Sequence, residues 1–165
     1  MARLTQDQIR TIQNKVNQYK SKRARIMMSL QEVLKTITKA NGYTKTVNTV
    51  DIDIKDMQGV QEHESPAIFI LDVNQSKKKG VSKLREITWN IALYGVVRGE
   101  TLVSFEEIIA DIEDAIEDNF TLAGSASKAE VENIATDNQL FADTGTFIFE
   151  MELVINYTRC HRSPR

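Results

Sequence analysis

The 165-residue sequence has almost no cysteine and no long apolar run, and each absence excludes a class of protein. Cys160 is the one cysteine, so no disulfide can form within the chain, unlike in a small secreted disulfide scaffold. No stretch approaches the roughly 18 apolar residues that a membrane helix needs. The opening sequence MARLTQDQIR lacks the apolar centre of a signal peptide. We therefore expect a soluble protein of a reducing cytoplasm.

Patterns that carry catalysis or metal binding are also missing. His63 and His161 are the two histidines, and neither lies near a nucleophile elbow. A structural zinc site would need more cysteines than Cys160 supplies. No GK[ST] follows a predicted strand, so there is no phosphate-binding loop. The sequence predicts a protein that is not an enzyme and that binds no cofactor and no metal.

A net charge of −2 hides two segments of opposite charge. Residues 1–45 contain ten lysines and arginines and two acids, which gives a net charge of +8. Residues 101–120 contain seven acids and no base. Such segregation either solvates two helix faces or lets copies of the protein associate head to tail. Five bases of the first segment form a cluster: Lys15, Lys20, Lys22, Arg23 and Arg25.

Two helices are predicted from apolar residues spaced three and four apart. The first packs on the core over about residues 25–39 and ends at ANGY, where glycine favours a helix stop. The preceding residues 1–24 form a basic helical extension, either a separate helix or a projecting arm. The second helix begins near Thr101, with a capping box at Ser104. Its apolar stripe comprises Phe105, Ile108, Ile109, Ile112, Ile116 and Phe120.

Two strands are predicted in the first half of the chain. The sequence TVDIDI alternates with period two and predicts a half-buried strand with Val50, Ile52 and Ile54 facing inward. The apolar run at residues 67–71 opens after Pro66 and predicts a central strand that is buried on both faces.

Three more strands and two polar loops follow. Long alternating strands are predicted over residues 85–97 and 147–157, and a short weak strand over residues 131–135. Residues 74–83 and 121–128 read as exposed polar loops. We expect one α+β domain: a mixed, largely antiparallel sheet of four to five strands packed against two main helices, with the extra N-terminal helical segment.

Three stretches carry a family likeness: the strand ITWNIALYGV, the helix IIADIEDAIED and the terminal FADTGTFIFEMELVINYTRCHRSPR. Their order resembles that of the tail terminator proteins of long-tailed bacteriophages, over roughly residues 26–165. The resemblance implies one tail-terminator-like domain over residues 25–158, followed by a flexible basic tail over residues 159–165. The extension over residues 1–24 departs from the family pattern, so its partner stays open.

The resemblance implies a structural virion protein, assembled in the host cytoplasm. Six copies would form a ring at the head-proximal end of the tail tube, stop tube polymerisation and provide the surface that joins the head or neck. The implied partners are the other copies in this homo-hexamer, the tail tube protein and a head-completion or neck protein. Phage DNA would pass through the ring without sequence-specific binding, and no membrane is involved.

A closed ring needs unlike, complementary surfaces on each copy, because head-to-tail contacts close when the rotation per subunit closes. We expect these surfaces at the lysines of residues 74–83, at the acids of the second helix and at the arginines of the tail. The candidates are Lys77, Lys78, Lys79, Glu113, Asp114, Glu117, Asp118, Arg159, Arg162 and Arg165.

The alternative is a non-enzymatic α/β binding module. Its basic N-terminal helix, with the five clustered bases, would bind nucleic acid or an acidic partner. A DNA affinity that falls steeply with ionic strength would favour this alternative over the ring.

Overall fold

The computed structural model describes residues 3–52, 59–79, 84–137 and 145–160. In these ranges the chain is α+β, with three α-helices and a five-stranded mixed sheet, which confirms the predicted fold class. The helices are α1 (Gln6–Val16), α2 (Lys22–Lys35) and α3 (Leu102–Asp118). The strands are β1 (Thr49–Asp51), β2 (Ala67–Lys79), β3 (Leu84–Arg98), β4 (Lys128–Asp137) and β5 (Thr146–Cys160).

The strands lie in the order β1-β2-β3-β5-β4. β1 runs parallel to β2, and every other neighbouring pair is antiparallel. β3 and β5 pair along their whole lengths, from Leu84 opposite Cys160 to Arg98 opposite Thr146. These two strands form the centre of the sheet, and the other strands add to them on both sides.

The basic N-terminal segment contains a separate helix that packs on the core. Thr5 and Gln8 form a capping box that begins α1, and Ile12 and Val16 are buried against the rest of the protein. The chain then breaks, and the Ser21 hydroxyl caps α2. Helix α2 therefore begins at Lys22 and ends at Lys35, earlier at both ends than predicted. Within the described ranges, no helix is long and apolar enough to cross a bilayer.

Helix α3 has the predicted apolar stripe and begins next to Thr101, as predicted, but a different residue caps it. The Thr101 hydroxyl accepts a 3.2 Å hydrogen bond from the backbone N–H of Ser104, so Thr101 is the N-cap and the prediction of Ser104 is wrong. Phe105 and the isoleucines of the stripe are buried. Phe120 is 46% exposed, because the helix ends at Asp118 and Phe120 falls in the turns that follow.

The core has two parts on opposite faces of the sheet. The larger part lies between the helices and one sheet face, and Trp89, Phe105 and Phe149 are its largest fully buried side chains. The smaller part, on the other face, joins Val60, Ala67, Phe69 and Val96. The first residues of β2 contribute to both parts, which confirms that this strand is buried on both faces.

Two predicted loops are ordered by contacts with other elements. Residues 74–79 belong to β2 and pair with β3, so the prediction of a loop is wrong there. Leu122 and Ala123 are buried, and the Ala123 carbonyl accepts a 3.0 Å hydrogen bond from Gln13 Nε2. This contact fastens the segment after α3 to α1.

Three strands differ from their predicted extents. β4 is twice as long as expected, because it follows β5 from Asn156 to Ile148. β5 continues to Cys160, so the prediction of a flexible tail from Arg159 is wrong at that residue. In the first strand, Ile52 is 36% exposed rather than inward, and Ile54 lies outside the described residues.

We expect Gly95→Ala to lower the free energy of unfolding by about 1–3 kcal/mol, the usual cost of overpacking a core. Gly95 lies opposite Phe149, and a Cβ at Gly95 would overlap the Phe149 ring, which itself packs against Phe105. Urea unfolding measures the loss. Phe149→Leu makes room, so the double variant should lose less than the sum of the two single losses. Wild-type stability of Gly95→Ala would contradict this packing.

Candidate subunit interfaces

The far ends of three strands form a basic arm, which we define as Lys77, Lys78, Lys79, Arg85 and Arg159. The sheet register places Lys79 opposite Arg85, and Arg85 opposite Arg159. The structure thus brings together predicted interface residues that are 80 positions apart in sequence. Arg85 was missed, because it lay in a strand predicted for its apolar face. Arg162 and Arg165 lie outside the described residues.

The basic arm is fastened to α2 by a cluster around Trp89. The Trp89 indole Nε1 donates a 2.7 Å hydrogen bond to Asp72 Oδ1. The Arg23 guanidinium lies 4.5 Å from the centre of the Trp89 ring and pairs with the same carboxylate. Asp72 thereby contacts a buried ring and the first turn of α2 at once, and this joins β2 and β3 to that helix.

A second contact joins α2 to β5. Lys22 Nζ donates a 2.8 Å hydrogen bond to the carbonyl of Thr158 and lies 6.0 Å from the centre of the Tyr157 ring. The Tyr157 hydroxyl donates to Gln75 Oε1 at 3.0 Å. Burial raises the pKa of Tyr157, and the nearby Arg23 partly offsets that increase. Side-chain contacts therefore stabilise the strands of the basic arm, in addition to the backbone pairing of the sheet.

Four of the five clustered bases bond within the chain. Besides Lys22 and Arg23, Lys15 pairs with Glu32 at 3.2 Å and Arg25 Nε donates to the Tyr19 carbonyl at 2.7 Å. Lys20 is exposed. These bases therefore make contacts that help to position α1 and α2.

The acids of α3 are divided between its sides. Asp111 is buried and accepts hydrogen bonds from the backbone N–H groups of Thr44, at 3.3 Å, and Lys45, at 2.8 Å. This side of α3 faces the segment that follows α2. At about 100° per residue, Glu113 lies roughly 160° around the helix from Asp111. Glu113 therefore faces away from α2, towards the side where α3 packs on β4.

Glu106, Glu113 and Glu117 share that side, because spacings of seven and four residues return to the same helix face. Burial raises the pKa of Glu113, and the nearby charges of Glu117 and Asp114 raise it further. The acids of β4 lie on the other face of the sheet: Glu130 pairs with Lys128 at 3.2 Å, and Glu132 lies beside Glu150 and Glu152. We call the three residues of α3 the acidic flank: Glu106, Glu113 and Glu117.

The predicted acids thus fall into different places. Glu113 and Glu117 belong to the acidic flank, and Asp114 points outward into solvent. Asp118 lies on the side of Asp111, near Tyr43, whose pKa is raised to about 12 chiefly by burial. Sequence reasoning did not include Glu106, although its spacing of seven residues from Glu113 places both on one face of the helix.

The basic arm and the acidic flank lie towards opposite edges of the sheet. The arm ends on β2, near one edge, and the flank lies on the side of α3 that packs on β4, the strand at the other edge. In the described part of the chain, no group of three His, Cys, Asp or Glu side chains could hold a metal ion. No family model matches the sequence, and no curated protein matches it significantly. The geometry itself offers two oppositely charged surfaces on one rigid subunit.

We expect Asp72→Ala to cost about 1–3 kcal/mol in the free energy of unfolding, because the buried Trp89 N–H loses its acceptor. Asp72→Asn keeps an oxygen for the indole and loses only the half-exposed pair with Arg23, so it should cost less than about 1 kcal/mol. Urea unfolding of both variants tests the assignment. Equal losses would show that the Trp89 hydrogen bond does not anchor the arm.

Proposed function

We propose that this chain is a tail terminator of a long-tailed bacteriophage, a structural protein without catalytic activity. Six copies form a ring at the head-proximal end of the tail tube, stop its polymerisation and provide the joining surface for the head or neck. One observation carries the proposal beside the family resemblance: the subunit bears charged surfaces of opposite sign on its two sides.

A closed ring requires two different surfaces on each copy. A head-to-tail contact joins one surface of each copy to a different surface of the next, and the chain of contacts closes when the rotation per copy divides a full turn. Complementary charges select this contact over like-to-like pairing, since juxtaposed like charges cost several kcal/mol. The basic arm and the acidic flank supply such a pair.

The rigidity of the basic arm supports a role in assembly. Its strands are paired on both sides of β3, and the cluster around Trp89 braces them against α2. A preorganised surface loses little conformational entropy when it binds, so more of the contact energy appears as affinity. An arm of this kind suits a contact that must form with the same geometry in every copy.

The ring stops growth because it occupies the end at which the next tube subunits would add. One of its faces contacts the tail tube protein and the other contacts a head-completion or neck protein. Phage DNA passes along the axis without sequence-specific contacts. The protein then resides in the virion, in the neck region of the tail.

Electron microscopy of tails assembled with and without this chain tests the proposal. Without it, we expect tubes of uncontrolled length that join no heads, because nothing occupies the growing end. Supplying the wild-type chain in trans is the control and should restore uniform, capped tubes. Tubes of normal length in its absence, or gold-labelled chain located away from the neck, would refute the assignment.

A further inference from the structure

The outer edge of β2 lies beside the basic arm. In the described residues, β1 is the strand on that side of β2, and it pairs with Ala67–Phe69. Beyond Phe69, β2 continues to Lys79, and its one partner within the described ranges is β3, on its inner side. A strand edge of this length presents N–H and C=O groups to which another strand can pair.

The opposite end of the sheet has a second such edge. Among the described residues, β4 is the terminal strand, and its one partner is β5, over Ile148–Asn156. Its outer edge lies on the side of α3 that carries the acidic flank. One edge of the sheet therefore lies beside the basic arm, and the other lies beside the acidic flank of α3.

The strand directions allow these two edges to meet in a ring. Three successive antiparallel pairs separate β2 from β4, so the two strands run in opposite directions within one copy. Rotation about an axis roughly along the strands preserves those directions in the neighbouring copy. The β2 edge of one copy and the β4 edge of the next are therefore antiparallel, which is the more stable pairing.

We propose that the outer edge of β2, over residues 74–79, pairs with the outer edge of β4 in a second copy of this chain, so that one sheet continues across the subunit boundary. The inference rests on the proposed ring and deepens it, because it names the two surfaces that join. It also assigns the occupant of both free edges.

Charge complementarity indicates that the strand at the β2 edge belongs to a second copy of this chain. Lys77 is exposed and lies opposite Ile87, whose side chain is buried beneath the helices, so Lys77 is on the helix side of the sheet. Docked against β4, that side chain meets Glu113 and Glu117 of the neighbour. A lysine at this place removes the repulsion among these carboxylates, which contributes to the raised pKa of Glu113.

Exchange of charge between the two surfaces tests the pairing. We expect Lys77→Glu with Lys79→Glu, and separately Glu113→Lys with Glu117→Lys, to weaken assembly roughly a hundredfold in Kd, because each creates like charges at every contact. Sedimentation velocity and native mass spectrometry of the full chain measure the assembly. The matched control, Lys20→Glu with Lys39→Glu, makes the same change of charge away from the arm and should assemble normally.

Mixing the two reversed variants gives the sharpest result. One variant has glutamates at the exchanged positions of both surfaces and the other has lysines at both, so they can alternate around a ring with an even number of subunits. We expect rings that contain equal numbers of the two. Normal assembly of either variant alone, failure of the mixture, or a wild-type chain that stays monomeric at its highest soluble concentration would each overturn the inference.

A substitution to proline distinguishes backbone strand pairing from a contact between charged side chains alone. The Pro66 carbonyl bonds to Thr49 of β1, so it points to the outer edge. Alternation, with the one-residue bulge between Asp72 and Asn74, then turns the N–H of Lys77 outward as well. Lys77→Pro removes this N–H and keeps the pairing with β3. We expect it to weaken assembly at least tenfold more than Lys77→Ala, and equal effects would exclude backbone pairing.

The outcomes distinguish this inference from the proposed function. Tubes capped in micrographs by a chain whose charge reversals have no effect would refute the edge pairing alone. Rings that obey the charge exchange but leave tube length unchanged would refute the tail terminator assignment and keep the pairing.

Discussion

The pairing of β3 with β5 is the constraint on which the rest of the structure depends. Fifteen residues of each strand pair in one unbroken register, a length of roughly 50 Å. Helix α3, with 17 residues, covers only about 25 Å of it. The strands must therefore extend beyond the helical layer, and their polar ends with β2 form the basic arm. A difference in element length thus creates a surface that faces solvent.

The packing of the helices on the sheet also determines where the charged residues lie. α2 covers the side of the sheet towards β1, and α3 covers the side towards β4. In helix α3, Asp111 accepts hydrogen bonds from the segment after α2. This contact turns the opposite side of α3 towards the β4 edge of the sheet. Glu113 and Glu117 then lie on the side of α3 that packs on β4. Opposite charge on the two sides is therefore a result of packing and not of composition alone.

Much of the fold could be predicted, and the failures have physical causes. The isoleucine spacing of α3 and the alternation of β3 are local patterns, so they predict their elements directly. Residues 74–79 are polar, and pairing with β3 holds them in a strand that their own sequence does not indicate. Arg159 is a strand residue for the same reason. At the start of α3, Thr101 and Ser104 can both cap a helix, and spacing alone cannot choose between them.

The order of the strands also determines at what point in synthesis the sheet can form. β5 follows β4 in the chain yet lies between β3 and β4. During synthesis, β4 and α3 therefore emerge with no adjacent strand to receive them, and the sheet closes only after β5 inserts. Such non-local insertion makes folding slow and cooperative. A chain that stops before β5 lacks the strand that joins β4 to β3, so we expect it not to complete the sheet.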